Sequence, residues 1–181
     1  MRHNTHPAAI NPGNGDCPVS AGMNSLFLSD MFQNRIELPG TYCKGFLQKN
    51  VIMPSLEIFL YKIAFQNDIA LRQEESNNIP YYFSYCLQGS IQWNLNGTLK
   101  ESEMNSGEHT ILSKSSVDSV SRFHKGQHIL CISIGIGNKL LSELLQDDRM
   151  THLLDSLSGN GNTIYKQKTS FAVNRILHDI L

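Results

Sequence analysis

Apolar and polar residues alternate along residues 79–112, and this alternation predicts a run of β-strands. Residues 81–88 alternate between two faces, and the same period of two returns in residues 91–95, which are rich in aromatic and β-branched side chains. Asn-Gly at 96–97 then predicts a hairpin, because a type I′ turn needs positive φ at both central residues. A second turn is predicted at 105–107. Closely spaced strands joined by such turns favour a sandwich or a closed barrel over a sheet with crossover helices.

Similar patterns predict further strands on both sides of this stretch. Residues 41–47 and 56–65 precede it, and the second segment is apolar almost throughout, as expected of a strand covered on both faces. Strands are also predicted near 117–123 and at 128–136. The last of these carries large aliphatic residues on one face and Cys131, Ser133 and Gly135 on the other. The face with small side chains either lines a cavity or faces solvent.

The period changes from 2 to 3.6 after Gly137, which predicts helices in the remainder of the chain. Asn138 is a suitable N-cap, and a leucine stripe from Leu140 to Leu157 continues until the Ser-Gly-Asn-Gly stretch. A final amphipathic helix is predicted over residues 171–180. A short helix is also predicted near residues 25–33.

The predicted elements divide the 181 residues into three parts. Residues 1–40 form an N-terminal arm, 41–137 a barrel, and 138–181 a helical region for dimerisation or linkage. The predicted fold class is therefore mainly β with C-terminal helices. The last helix runs to Leu181 without a stop signal, so we expect the chain to be cut before a further domain.

The charge balance argues against direct binding of nucleic acid. Lys and Arg number 15 and Asp and Glu 16, with no basic cluster along the chain. The apolar runs are too short for a membrane span, and the N-terminus lacks the apolar core of a signal peptide. We therefore expect a cytoplasmic protein that does not contact a membrane.

Metal, cofactor and catalytic motifs are not found in the sequence. The four cysteines are scattered without a CxxC pair, and Cys86 and Cys131 fall inside strand patterns. Metal-dependent barrel enzymes of the cupin class place histidines in the segment that corresponds to residues 73–82, which here contains none. We expect no metal, no cofactor and no enzymatic activity. A stand-alone cupin-type isomerase or dioxygenase, or a small-molecule carrier, remains the alternative.

Aromatic residues at strand positions are the candidate ligand contacts, since their rings can stack on a planar or apolar ligand. Arg122 and His124 are candidates for meeting an anionic group. Ordinary core packing is the competing explanation for each aromatic side chain. The aromatic candidates are Phe59, Tyr61, Phe83, Tyr85 and Trp93.

Three segments resemble the amino-terminal regulatory domain of AraC-type transcription regulators: FSYCLQGSIQ, GQHILCISIGIGNKLLSELLQDD and TIYKQKTSFAVNRILHDIL. The likeness runs from Tyr42 to Leu181 and is strongest to the siderophore-sensing branch typified by the pyochelin and yersiniabactin regulators. It implies a cupin-like, jelly-roll barrel that binds an effector, followed by two or three α-helices that mediate dimerisation. It also implies that DNA is bound only by a helix-turn-helix domain absent from this chain, and that the effector is an iron–siderophore complex.

The leucine stripe is the candidate surface for a homodimer. Packing of the stripe on its own barrel is an equally good explanation for its first turns. The residues nominated for dimerisation are Leu141, Leu145, Leu153, Leu154 and Leu157.

Overall fold

The computed structural model of the protein describes residues 33–38, 40–73, 81–95, 101–113, 119–144 and 164–181. Within these ranges the chain forms two antiparallel sheets and two helices, which confirms the predicted fold class. The strands are β1 (Gln33–Glu37), β2 (Cys43–Met53), β3 (Leu56–Phe65), β4 (Ile69–Gln73), β5 (Tyr81–Gln88), β6 (Ser90–Leu95), β7 (Glu101–Asn105), β8 (Glu108–Ser113), β9 (Ser119–Phe123), β10 (His128–Ile136) and β11 (Ile164–Lys168). The helices are α1 (Asn138–Leu144) and α2 (Phe171–Asp179).

The larger sheet has seven strands in the order β1-β2-β3-β10-β5-β8-β11, and the smaller has four in the order β4-β9-β6-β7. Side chains from the two sheets meet in a common core, where the rings of Phe65 and Phe123 stack with their centroids 4.3 Å apart. Because these residues belong to β3 and β9, the contact joins the two sheets directly. The space enclosed between the sheets is where a ligand site can form.

Gly89 stands where the chain passes from β5 in the larger sheet to β6 in the smaller one. Its φ is +82°, and a Cβ at this position would collide with the carbonyl oxygen of His128. A glycine is needed here for both reasons. The following strand, β6, pairs antiparallel with β7, as the Asn-Gly signal predicts, while the turn itself lies outside the described residues.

The C-terminal elements differ in part from the sequence-based expectation. Helix α1 begins at Asn138 itself, one residue before the start expected with Asn138 as its N-cap. Helix α2 begins after Ser170, whose side-chain oxygen accepts a hydrogen bond from the backbone N–H of Val173. Between them, β11 adds to the larger sheet beside β8, in a region expected to be helical. Similarly, β1 lies inside the expected N-terminal arm and pairs with β2. The short helix predicted near residues 25–33 lies almost wholly outside the described residues.

In the described part of the chain, neither helix has the length and apolar character needed to cross a membrane.

Candidate ligand-binding cavity

A cavity of about 150 Å³ lies between the two sheets. Four strands of each sheet contribute to its wall: β3, β5, β8 and β10 from the larger sheet, and β4, β6, β7 and β9 from the smaller. Its volume is that of a site for one small ring, because an apolar cavity of about this volume holds benzene whereas sites for drug-sized ligands measure about 300–1,000 Å³.

The cavity wall combines apolar side chains with hydroxyl groups. The apolar ones are Ile63, Leu71, Ile91, Leu112, Phe123 and Ile129, joined by Trp93, Met104 and Cys131. The hydroxyl-bearing ones are Tyr61, Ser84, Thr110, Ser119, Ser121 and Ser133. Among these described residues none carries a charge. The wall therefore suits an uncharged group that has at least one hydrogen-bonding atom.

Three hydroxyl-bearing residues form a row across adjacent strands. Ser133 on β10 lies opposite Ser84 on β5, and Ser84 lies opposite Thr110 on β8. The hydroxyl oxygens of Ser84 and Ser133 are 2.7 Å apart, which is a good hydrogen bond. Tyr61 on β3 adds a further hydroxyl group to the same wall. This row gives one side of the cavity a polar strip within an otherwise apolar wall.

Tyr61 is held as a neutral phenol. Burial raises its pKa well above the usual value for tyrosine, with further upward contributions from Cys131, Tyr82 and Glu57 and an opposing one from the hydrogen bond to Ser133. A neutral phenol both donates and accepts hydrogen bonds. Tyr61 can therefore orient a polar atom of a ligand without adding charge to the cavity.

The thiols near the cavity are poor nucleophiles. Cys131 lines the cavity, and Cys86 is its partner on the neighbouring strand β5. Burial raises the pKa of Cys86 to about 11 and that of Cys131 further still. Since only the thiolate attacks a substrate, this arrangement disfavours cysteine catalysis at neutral pH.

Two of the predicted aromatic contacts, Tyr61 and Trp93, line the cavity. Phe59 is completely buried on the same face of β3 as Tyr61, with the two ring centroids 6.3 Å apart, but it is part of the adjacent core and not of the cavity wall. Phe59 and Tyr61 are two residues apart, so they share one face of the strand.

Four other predicted contacts lie away from the cavity, which corrects the expectation that they face the barrel interior. On β5, Ser84 faces the cavity, so Phe83 and Tyr85 point to the opposite face, where Tyr85 stacks on His109. On β9, Ser121 and Phe123 face inward, so Arg122 points outward and pairs with Glu101 at 3.1 Å. His124 is exposed, with its ring nitrogen 3.8 Å from the Asp68 carboxylate.

The serines and the threonine of the wall were missed by the prediction from sequence, which considered aromatic and basic residues alone. A signal for them existed in β10, where small residues occupy one face, and the structure shows that Cys131 and Ser133 on this face line the cavity. Serines 119 and 121 show the same two-residue spacing on β9. Small polar residues at alternate strand positions leave the space that the cavity occupies.

Of the residues nominated for dimerisation, only Leu141 lies in the described part of the chain. Its exposed fraction is 3%, so it packs within its own chain and is not available to a second copy. Leu145, Leu153, Leu154 and Leu157 lie outside the described residues. Within the described ranges, no group of three or more His, Cys, Asp and Glu side chains is placed to hold a metal ion.

A family model described as the regulatory protein PchR N-terminal domain matches residues 44–181, which is more than half of the chain. Comparison with curated protein sequences found no match.

Solved structures with a similar fold include the AraC-like transcriptional activator CuxR, with a TM-score of 0.51 and 13% identity over 90% of this chain and 52% of that one. An apo variant of ToxT from Vibrio cholerae is similar with a TM-score of 0.50 and 15% identity, over 70% of this chain and 46% of that one. At these identities the likeness shows a shared fold. The chain spans about half the length of each of these proteins.

Proposed function

Because the chain belongs to the family of PchR regulatory protein N-terminal domains, we propose that it senses a small-molecule effector for an AraC-type transcription regulator. The observation that carries this proposal is the cavity between the sheets, with its uncharged wall of apolar side chains and hydroxyl groups. The proposed role is to bind and not to catalyse. The wall supports this because burial raises the pKa of its Cys131 thiol and of its Tyr61 phenol, so that both are protonated at neutral pH. We further propose that the protein is cytoplasmic, because a regulator of transcription acts where the DNA is.

The cavity wall is connected to the helices through two strands. β10 contributes Cys131 and Ser133 to the wall and runs through Gly137 into α1. The backbone N–H of Gly137 donates to the carbonyl oxygen of Ser55 at 2.8 Å, and the side chain of Ser55 leaves no space for a Cβ at Gly137. A shift of β10 on ligand binding would therefore be passed to the start of α1.

The second connection passes through β8 and β11. β8 contributes Thr110 and Leu112 to the wall and pairs with β11, which leads into α2. The N–H of Thr169, between β11 and α2, donates to the carbonyl oxygen of Gly107 at 2.8 Å. An effector that binds one arrangement of these strands more tightly than another would shift the population of helix positions, and so the placement of DNA-binding domains carried by another part of the regulator.

For the effector we propose an iron–siderophore complex, because the sequence resembles the siderophore-sensing branch of AraC-type regulators. A whole complex of this kind exceeds a cavity of about 150 Å³, and the described wall holds no charge to balance a charged chelate. We therefore propose that an aromatic ring of the siderophore enters the cavity while the chelated iron remains outside it.

The experiment is a titration that follows the fluorescence of Trp93, which lines the cavity and is the single tryptophan of the chain. Ferric pyochelin and iron-free pyochelin are the probes. We expect a saturable change with the ferric form. In Ser121→Leu, which fills the cavity, the affinity should fall at least about tenfold, or about 1.4 kcal/mol.

Ser142→Leu is the matched control, because Ser142 is exposed on α1. This variant should bind ferric pyochelin with the affinity of the wild type. Equal binding by Ser121→Leu and the wild type would place the site outside the cavity. No response to either form of pyochelin would overturn the proposed effector. If turnover of a substrate accompanied binding, the alternative of a cupin-type enzyme would replace the sensor.

We also propose that the regulator acts as a homodimer, with α2 contributing to the interface. Ile176 and Ile180 are one helical turn apart and have exposed fractions of 58% and 50%, so they form an apolar strip on the surface. Ile176→Glu should produce a folded monomer in sedimentation velocity experiments, while Arg175→Glu, at the neighbouring exposed position, should leave the dimer intact. A wild-type monomer at all concentrations would contradict the proposal.

A further inference from the structure

Three sulfur-bearing side chains from three strands pack together beside the cavity. Cys86 on β5, Cys131 on β10 and Met104 on β7 form one packed cluster, and each is at most 2% exposed. Met104 and Cys131 line the cavity as well. We propose that this sulfur cluster is a binding site for a single soft monovalent metal ion, Cu(I) or Ag(I). The proposal does not depend on the effector function.

The backbone brings the two thiols together. Cys86 and Cys131 are directly opposite each other on adjacent antiparallel strands, next to a bulge in the pairing of β5 and β10. Residues opposite each other in such a pair have Cα atoms about 4.5–5.5 Å apart and side chains on the same face of the sheet. Met104 packs on the same cluster from the other sheet, so side chains of both sheets contribute to it.

The chemistry of the cluster selects the class of ion. Thiolates and thioethers are soft ligands that favour Cu(I) over the harder ions preferred by carboxylates. Both cysteines are free thiols, and their hydrogen bonds are weak, with Cys86 Sγ at 3.4 Å from the carbonyl oxygens of Gln88 and Gly89. Little is lost when such contacts are exchanged for a metal–sulfur bond.

The charge of the surroundings favours a monovalent ion. Partly buried apolar side chains that pack on the cluster are Tyr61, Ile91 and Trp93, and none of the described wall residues is charged. Binding of Cu(I) to one cysteine releases its proton to solvent and forms a neutral copper–thiolate unit, with the sulfur atoms of the other cysteine and of the methionine completing the coordination. Because the oxidation state of copper does not change, no oxidant or reductant is consumed. A neutral centre avoids the cost of an unbalanced charge in an apolar cavity.

The site has a consequence for ligand binding in the cavity. An ion held by Met104 and Cys131 would occupy space at the cavity wall, beside Trp93. It would therefore compete with any molecule that fills the cavity. It would also change the fluorescence of Trp93, which gives a second readout independent of the metal count.

The test is anaerobic titration of the reduced protein with Cu(I) in competition with a chromophoric Cu(I) chelator. We expect one equivalent of Cu(I) per chain and quenching of Trp93. Replacing a group that supports a metal ligand lowers metal affinity by about 10–100-fold. Cys86→Ser and Cys131→Ser each remove a proposed ligand itself, so each should lower the affinity for Cu(I) by at least this much. Met104→Leu, which keeps the side-chain volume, should lower it less.

Cys43→Ser is the matched control, because Cys43 is buried in the other core cluster. This substitution should leave the affinity for Cu(I) unchanged. If the Cys86→Ser, Cys131→Ser double variant binds Cu(I) as tightly as the wild type, the proposal fails. Should these variants not fold, X-ray absorption at the copper edge of the wild-type protein decides: a shell of sulfur atoms alone supports the site, whereas nitrogen or oxygen ligands overturn it.

Discussion

The hydroxyl oxygens of Ser84 and Ser133 face each other across β5 and β10 at a distance of 2.7 Å, in the wall of the cavity. Both residues are direct partners in the strand pairing, so the backbone fixes the separation of their side chains. Ser133 is 6% exposed, so its hydroxyl group lies in the protein interior. The polar strip of the cavity is thus part of the structural core as well as a candidate ligand contact.

Removal of either hydroxyl should destabilise the fold. Ser133→Ala leaves the hydroxyl group of Ser84 without its partner in the cavity wall, and we expect the free energy of unfolding to fall by about 1–2 kcal/mol. Ser84→Ala should cost about 1 kcal/mol, and the double variant less than the sum of the two, since they share one bond. Urea denaturation measures all three. Ser142→Ala, on the exposed surface of α1, should stay within about 0.5 kcal/mol of the wild type. Strict additivity of the two cavity variants would show that the bond does not form.

A buried ion pair joins β2 to β3 on the face that packs into the core. The Lys49 Nζ lies 3.0 Å from Glu57 Oε1, and the exposed fractions of the two side chains are 3% and 16%. The other carboxylate oxygen, Glu57 Oε2, is buried with no hydrogen-bond partner among the described residues. Loss of one member of such a pair leaves an uncompensated charge, so Glu57→Gln should lower the free energy of unfolding by about 3 kcal/mol.

The pair formed by Arg122 and Glu101 is the control for this effect. It has nearly the same separation, 3.1 Å, but both side chains are about half exposed or more. Glu101→Gln should therefore cost less than about 1 kcal/mol. Thermal or urea denaturation of both variants gives the comparison. Equal costs for the two substitutions would mean that burial of the Lys49 pair contributes nothing.

A comparison of alanine substitutions at Gly89 and Gly126 separates the cost of backbone strain from the cost of steric collision. Both have φ of +82°, but a Cβ at Gly89 meets the carbonyl oxygen of His128, whereas at Gly126 it meets no atom within 4 Å. Gly126→Ala should cost about 1–2 kcal/mol through strain alone. Gly89→Ala should cost clearly more, because the chain must also move away from His128 where it changes sheets. Urea denaturation of the two variants tests this order, and a smaller cost at Gly89 would contradict it.

The stability of the fold should depend on the protonation of His109. Burial lowers the pKa of this histidine in the folded protein, below the value of about 6.5 expected in the unfolded chain. As the pH falls below about 6.5, the unfolded chain binds a proton that the folded protein does not, so the free energy of unfolding decreases. Above about 6.5 the contribution is fully present.

Urea denaturation over a series of pH values, with the wild type compared to His109→Gln, measures this contribution. As the pH falls, the free energy of unfolding of His109→Gln should decrease less than that of the wild type. Tyr85→Phe keeps the aromatic ring that stacks on His109, with centroids 5.4 Å apart, and should retain the decrease. Identical pH profiles for the wild type and His109→Gln would contradict the assignment.

The strands whose bounds were predicted correctly are those richest in apolar residues. Segments 56–65, 81–88 and 128–136 were predicted with the bounds that the structure shows. No strand was predicted at β1, β4 or β11, which have five residues each and lie at edges of the two sheets. An edge strand has one partner and buries little apolar surface. Its position therefore depends more on pairing with the backbone of the neighbouring strand than on its own side chains.

The periodicity of the sequence by itself determined where the main strands run, where α1 begins and which residues share a face of each strand. The composition likewise shows no excess of basic residues, with 15 Lys and Arg against 16 Asp and Glu. Only the tertiary structure decided which face of each strand turns inward. Ser84 and Tyr85 are neighbours on β5, and the sheets place the serine in the cavity and the aromatic ring outside it. Alternation defines the two faces of a strand but not which of them turns inward, because that depends on how the two sheets, built from strands far apart in the sequence, pack against each other.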